Sequence, residues 1–245
     1  MKKTVLFLLA AALAVPAALA QNDVQASAQK AVSHFKNVQV SVDNGVATLT
    51  GTVNLYADKM RADQKIRHVK GVQAIRDEIQ VAGPEISDQE LQAKLMNTIS
   101  YSLLGYVPVA FQAISVQVHN GVVLLGGHAA GPIAASDAIA AVENTKGVKD
   151  VIDNIQIDPL SPMDNQVRIE AYRRIYGFPS LNKYAIDPEK PIRIQVANGH
   201  ITLYGTVDSE ADKDAAGIQA NSVSGAFSVT NNLQVANGGK EKPGK

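Results

Sequence analysis

The sequence holds no cysteine and no tryptophan. Without thiols, disulfides, thiolate metal sites and cysteine nucleophiles are excluded. Aromatic residues make up only 5%, too few for the stacking platform of a carbohydrate or single-strand nucleic-acid binder. Net charge is missing too: 23 Lys and Arg balance 23 Asp and Glu. A general nucleic-acid binder relies on an excess of positive charge, so no nucleic-acid partner is expected. Beyond residue 20 no apolar run is long enough to span a bilayer. What is present is 46% hydrophobic and 19% charged residues in a chain of 245, enough for one large globular domain or two to three small ones.

The first twenty residues read differently from the rest. Lys2 and Lys3 precede an apolar run from Val5 to Val15, then Pro16, then Ala18-Leu19-Ala20. A short apolar core closed by a small-residue A-x-A exit predicts a secretory signal peptide over 1–20, cleaved before Gln21, rather than a membrane anchor. Gln21 stands where a lipoprotein would need cysteine, so acylation at that point is excluded. The expectation is an exported, soluble chain, periplasmic in a two-membrane bacterium, and the absence of cysteine suits an oxidising compartment.

The remainder repeats. VSVDNGVATLTGTV, VQVHNGVVLLGGHA and IQVANGHITLYGTV are each followed by a helical stretch and then by VKGVQAIRDEIQV, TKGVKDVIDNIQI and VSGAFSVTNNLQV. The glycines set the register. Gly45 and Gly51, Gly121 and Gly127, and Gly199 and Gly205 lie six residues apart, and Gly71, Gly147 and Gly225 follow the second of each pair by twenty. Each copy closes ten residues later, at Val81, Ile157 and Val235.

Each segment has a physical reading. Asn44-Gly45, Asn120-Gly121 and Asn198-Gly199 sit between alternating apolar residues, the signature of a type I′ hairpin turn. Val38 to Val42 should therefore pair with Val46 to Val53, and likewise in the other copies. Gly51, Gly127 and Gly205 predict a bulge or a close backbone approach. A helix follows, Tyr56 to Val69 in copy one, with Met60, Ile66 and Val69 expected inward. Gly71, Gly147 and Gly225 read as left-handed helix stops before a returning strand. Another amphipathic helix precedes each hairpin: Val24 to Phe35, Gln89 to Leu104 and Asn165 to Tyr176, with Leu91, Leu95, Ile99 and Leu103 on one face.

The predicted class is α+β: three tandem small αββαβ modules, each a three-stranded mixed sheet covered by two helices. Gly83-Pro84 and Pro159-Leu160-Ser161-Pro162 mark the joins, giving copies at 21–83, 84–160 and 161–236 and a tail over 237–245 expected to be disordered. Modules this short are marginal alone, so packing between copies is expected.

This unit, with its NG hairpin, G-T-V strand end and V-x-G-V before the last strand, resembles the BON domain, in three tandem copies after residue 20. Copies one and three carry the pattern most fully. Copy two departs at Leu125-Gly126-Gly127-His128 and in a second helix of small apolar residues. The resemblance implies a non-enzymatic exported protein of the bacterial envelope, connected with osmotic or envelope stress and binding anionic phospholipid or other envelope components. Its motif residues are scaffold glycines and core aliphatics, so it transfers a fold firmly and a site poorly.

Constellations for chemistry are absent. His34, His68, His119, His128 and His200 occupy unrelated positions in their copies, and none forms a His-x-x-x-His pair. Asp208, Glu210, Asp212 and Asp214 alternate as calcium ligands do, but they lack the glycine and closing glutamate of an EF-hand loop. Ser209 with Asp212 reads instead as a helix start. No G-x-S-x-G, P-loop or G-x-G-x-x-G stands in a usable context. Gly126-Gly127 is a strand end. No enzyme activity, cofactor or metal is expected.

Two stretches suit an interface. The second helix of copy one sets Lys59, Arg61, Lys65, Arg67 and Lys70 against Asp58 and Asp63, a basic amphipathic helix of the kind that lies on anionic headgroups; otherwise it is a solvated face. In copy three Arg168, Arg173 and Arg174 precede Tyr176-Gly177-Phe178-Pro179, with Lys183 and Tyr184 close behind. Cations beside exposed rings fit headgroup depth, unless Tyr172, Tyr176 and Phe178 fill the core. By copy the net charge is +2, −5 and +1, which makes copy two a spacer rather than a membrane contact. The leading expectation is association with an anionic phospholipid surface. The alternative is a protein-interaction or chaperone-like scaffold for envelope proteins, favoured by the divergence of the three surfaces.

Overall fold

A computed structural model describes residues 15–103, 109–159, 161–186 and 190–236, with side chains from residue 21 onward except that of Val109. Most of the expected signal peptide and the 237–245 tail lie outside these residues. The chain divides into two compact units, one ending at Pro84 and the other beginning at Glu85.

The first unit is copy one: α1 (Val15–Val32), β1 (Val38–Asp43), β2 (Val46–Val53), α2 (Tyr56–Arg67) and β3 (Ala74–Val81). β1 runs antiparallel to β2 and β2 parallel to β3, so the sheet order is β1-β2-β3. Asp43 pairs with Val46 across the turn, and Asn44 and Gly45 have φ of 47° and 79°, the two positive angles that a type I′ turn requires. A parallel return needs a crossover, and α2 supplies it. Val38, Val40, Val42, Leu49, Ile66 and Ile79 meet in the core, while β1 alternates buried and exposed along its length. The open edge of β1 is covered by one side chain. Gln25 donates to Val40 O at 2.9 Å and accepts from Val42 N at 2.7 Å, as a neighbouring strand would.

The second unit holds copies two and three. Copy two runs α3 (Asp88–Ser102), a 3-10 turn (Val109–Phe111), β4 (Ala113–His119), β5 (Val122–Ala129), α4 (Pro132–Glu143), β6 (Asp150–Asp153) and β7 (Gln156–Ile157). Copy three runs α5 (Pro162–Gly177), α6 (Lys183–Ile186), β8 (Arg193–Ala197), β9 (His200–Tyr204), β10 (Thr206–Val207), α7 (Glu210–Asn221), β11 (Ser228–Asn231) and β12 (Gln234–Val235). β4 and β8 pair antiparallel with β5 and β9, and β6, β7 and β11 return parallel. β10 pairs with β12. Leu91, Leu95, Ile99 and Leu103 of copy two are all buried, as the one-face spacing requires. Ser87, Ser161 and Ser209 cap α3, α5 and α7 by accepting from the backbone N–H three residues on.

Four details differ from the sequence reading. The return strand is continuous only in copy one; in copies two and three it splits at Asn154 and Asn232. Asp77, Asp153 and Asn231 each accept from the N–H two residues on, a local turn that the eight-residue β3 absorbs. Met60 faces outward, at 38% exposure, because Ala62 and Ile66 set the inward face of α2. α1 begins at Val15 rather than Val24. Gly71, Gly147 and Gly225 have the expected positive φ but stand three residues past the caps His68, Asn144 and Ser222, in the turn toward the return strand. The expectation for Gly51, Gly127 and Gly205 holds. A Cβ there would fall 1.9 Å from Asn37 O, 2.1 Å from Ala113 O and 2.8 Å from Pro191 O, a contact only glycine avoids.

Candidate functional site

α2 turns Tyr56, Ala57, Ala62, Asp63 and Ile66 toward the sheet. Outward stand Met60, Arg61, Gln64, Lys65, Arg67 and His68, with Lys70 just beyond, all exposed. The acids of the helix are less open: Asp63 is buried, and Asp58, on the side of Arg61 and Lys65, is half-buried. Each takes one cation as a neighbour on the helix, with Arg61 Nη1 2.9 Å from Asp58 Oδ1 and Arg67 Nε 2.6 Å from Asp63 Oδ2. The Arg61–Asp58 pair is a surface pair worth up to about 1 kcal/mol, little enough for a phosphate oxygen to compete, whereas Arg67 is tied to a buried carboxylate. Lys59 is drawn down onto β3, donating to Ile79 O at 3.0 Å with Asp77 Oδ1 at 3.8 Å. Lys65 makes no ion pair among the described residues.

The stretch in copy three is partly dismantled by the fold. Arg168 and Tyr176, each 5% exposed, and Tyr184, also 5%, cannot reach a surface ligand, which corrects the sequence reading of all three. Tyr176 donates to Ile192 O at 2.7 Å, and burial raises its phenol well above the ordinary range. Tyr184 accepts from Asp208 N at 2.7 Å and donates to Asp212 Oδ2 at 2.9 Å. Lys183 is held beside it, 2.7 Å from Asp208 and 3.0 Å from Asp212. Those carboxylates push the Lys183 ammonium up, and the acids at the start of α7 bind a lysine of their own chain. Burial would raise Asp212, but bonds from Lys183, Tyr184 and Ser209 outweigh it and hold it low. Arg174 spans Glu170 and Ser222 at 2.8 and 3.2 Å. Of the expected set in copy three, Arg173, Arg174, Phe178 and Lys183 remain outward, Phe178 at 37% exposure, with Lys183 tied to Asp208 and Asp212.

The buried members belong to a joint between copies two and three. Ala110 and Phe111, which lead into β4, enter the core of copy three, where Phe111 meets Tyr172 edge-on at 5.7 Å. Arg168 lies 5.8 Å from the Phe111 ring and donates to Val196 O at 2.9 Å. Its burial lowers its affinity for the proton, against the pull of Asp158 and Asp164. Arg193 Nη1 donates to Gln112 O at 2.6 Å, and Gln195 donates to Asp158 Oδ1 at 3.0 Å. His128 Nδ1 stands 3.1 Å from the same Asp158 oxygen. The other Asp158 oxygen and Arg168 Nε are buried without a hydrogen-bond partner among the described residues.

A further pair of acids escaped the sequence reading. Asp88 accepts from Asn120 N and Gly121 N at 2.7 and 3.0 Å, and Asp164 from Asn198 N and Gly199 N at 2.9 and 2.7 Å. Each clamps a hairpin turn from the start of the preceding helix. The bonds from Asn120 and then Gly121 hold the Asp88 carboxyl below the usual aspartate value. No sequence signal links an acid to a turn more than thirty residues away. Among the described residues no group of three or more His, Asp or Glu side chains is placed to hold a metal ion.

A family model described as BON domain matches residues 11–83, 87–159 and 180–237. Osmotically-inducible protein Y of Escherichia coli (strain K12) is 25% identical over 167 residues, 66% of this chain and 79% of that protein. Among solved structures, CdsD, a structural protein of the type III secretion system of Chlamydia trachomatis, is 16% identical with a TM-score of 0.25, over 87% of this chain and 92% of that one. Its C-terminal domain is 17% identical with a TM-score of 0.24, over 88% and 98%. Scores that low support no conclusion about architecture or assembly.

Proposed function

The chain belongs to the BON domain family, and on that premise we propose that it is a non-catalytic, exported envelope protein that associates with anionic phospholipid surfaces through α2 of copy one. The observation that carries this reading is the excess of exposed cations on α2 and the turn after it: Arg61, Lys65, Arg67 and Lys70 are exposed, against a half-buried Asp58 and a buried Asp63. Met60 adds an exposed apolar side chain beside the cations, the mixture that an interfacial helix uses. Export is supported by Lys2, Lys3, the apolar run from Val5 to Val15 and the Ala18-Leu19-Ala20 exit. Among the described residues no helix is long and apolar enough to cross a membrane, so contact through a surface helix is the mode these residues offer. The relation to a protein named as osmotically inducible supports a role in envelope maintenance under osmotic stress. Arg173, Arg174 and Phe178 of copy three form at most a secondary contact.

Co-sedimentation with vesicles tests this. Each well-placed cation contributes about 1 kcal/mol near an anionic surface, and the attraction is screened by salt. The chain should sediment with anionic but not zwitterionic vesicles, less so at physiological than at low salt. Reversing Arg61, Lys65 and Arg67 to Glu should abolish it. Undiminished sedimentation of that variant would remove α2 as the contact.

A further inference from the structure

The first helix of copy three and the turn after α7 enclose an open groove of about 420 Å³, with Met163, Val167, Ile169, Glu170, Arg173 and Gly225 among its walls. The same place exists in copy two, where it is filled. Leu91 and Val167 are equivalent, since each faces the glycine of the corresponding turn, Gly147 and Gly225. Five residues before Leu91, Ile86 lies over Gly147, its Cδ1 3.0 Å from where a Cβ would stand. Five residues before Val167 stands Pro162, which is exposed, and the next residue, Met163, is 68% exposed. Nothing nearer than Val167, at 3.4 Å, covers Gly225. Copy three therefore keeps the groove and lacks the aliphatic side chain that occupies it in copy two.

Charge narrows the occupant. Glu170 on the wall is paired with Arg174 at 2.8 Å, and Arg173 adds an exposed cation that makes no ion pair among the described residues. The groove is thus apolar along Met163, Val167 and Ile169 and positive at Arg173. We propose that it binds an extended polypeptide segment of a partner protein that presents an aliphatic side chain next to a carboxylate, the chemistry of Glu85-Ile86 in the segment entering copy two. A concave groove accommodates a side chain and its flanking backbone, whereas a membrane surface offers it nothing to enclose. This site is separate from the α2 face.

The test uses the isotopically labelled full chain and a synthetic peptide copying residues 82–87. The Ser224 and Gly225 amide signals should move saturably at millimolar peptide, and that of Gly147, whose groove is filled, should not. Replacing the peptide isoleucine, Ile86→Ala, should weaken binding about tenfold through lost apolar burial. Arg173→Glu in the protein, an exposed change that leaves the rest of the spectrum in place, should weaken it about fivefold. Absence of saturable shifts overturns the proposal, as do shifts that neither substitution alters. If Arg173→Glu reduces sedimentation with anionic vesicles while the peptide leaves the spectrum unmoved, the groove edge is a lipid contact and the peptide proposal falls. None of these results bears on the Arg61, Lys65 and Arg67 variant.

Discussion

β1 and β8 hold the same place in two copies of one repeat, yet they live in different surroundings. β1 is buried at every second residue, and its other face, with Gln39 and Ser41, is exposed. β8 is buried at four of its five residues: Ile194 and Val196 face their own core, while Arg193 and Gln195 are covered by copy two. The edge side chains follow the same division. Gln25 of copy one and Arg168 of copy three are equivalent, each one residue after the side chain that faces the turn glycine. Among the described residues Gln25 bonds to its own β1, whereas Arg168 also lies against Phe111 of another copy. The repeat conserves its interior, and the outer faces decide whether a module stands as its own compact unit or is built into its neighbour.

That contrast is open to attack by mutation, with unfolding of the full chain followed by calorimetry. The largest effect should come from Phe111→Ala, which empties a site in the copy-three core. It should destabilise the 85–245 unit by about 3–5 kcal/mol and leave the copy-one transition in place. A single shifted transition for the whole chain would break the division into two units.

Smaller effects follow from the matched pair Arg193→Ala and Gln39→Ala. The first strips Gln112 O of its donor inside the joint and should cost about 1–3 kcal/mol. The second, on the exposed face of β1, should stay within about 0.5 kcal/mol. Equal costs would mean that the joint contributes nothing.

The smallest effect concerns pH. Asp88 is held below the ordinary aspartate value, first by Asn120 N–H and then by Gly121 N–H. Its contribution is therefore complete above the unfolded value and is lost as pH falls through the lowered folded value. Asp88→Asn should lower the melting temperature of the 85–245 unit at neutral pH and flatten its decline toward about pH 3. In copy one Gln21 occupies the equivalent place and donates to Asp43, so the residue there is an amide rather than a carboxylate accepting from the turn.

Much of each module was legible because its determinants are local. Asn-Gly fixes the hairpin register, the glycine six residues on admits a carbonyl, and the period of the apolar residues sets the helix faces. What was not legible depends on partners distant in sequence. Arg193 and Gln195 alternate with apolar residues as Gln39 and Ser41 do, and nothing in that pattern distinguishes a wet face from a joint. Arg168 reads as a surface cation until Phe111 closes over it. Tyr184 and Lys183 read as an interfacial pair, but the acids that hold them lie more than twenty residues away. The α2 cations are legible because helix periodicity alone places them, and the fold adds that Asp63 is buried and Asp58 half-buried.

Hydrogen exchange of the full chain, read segment by segment with and without anionic vesicles, tests the account most directly. It predicts slowed exchange in α2 and the following turn, residues 56–70, and unchanged exchange throughout 85–245. Protection centred on copy three, or none anywhere while the protein sediments with the vesicles, would contradict it.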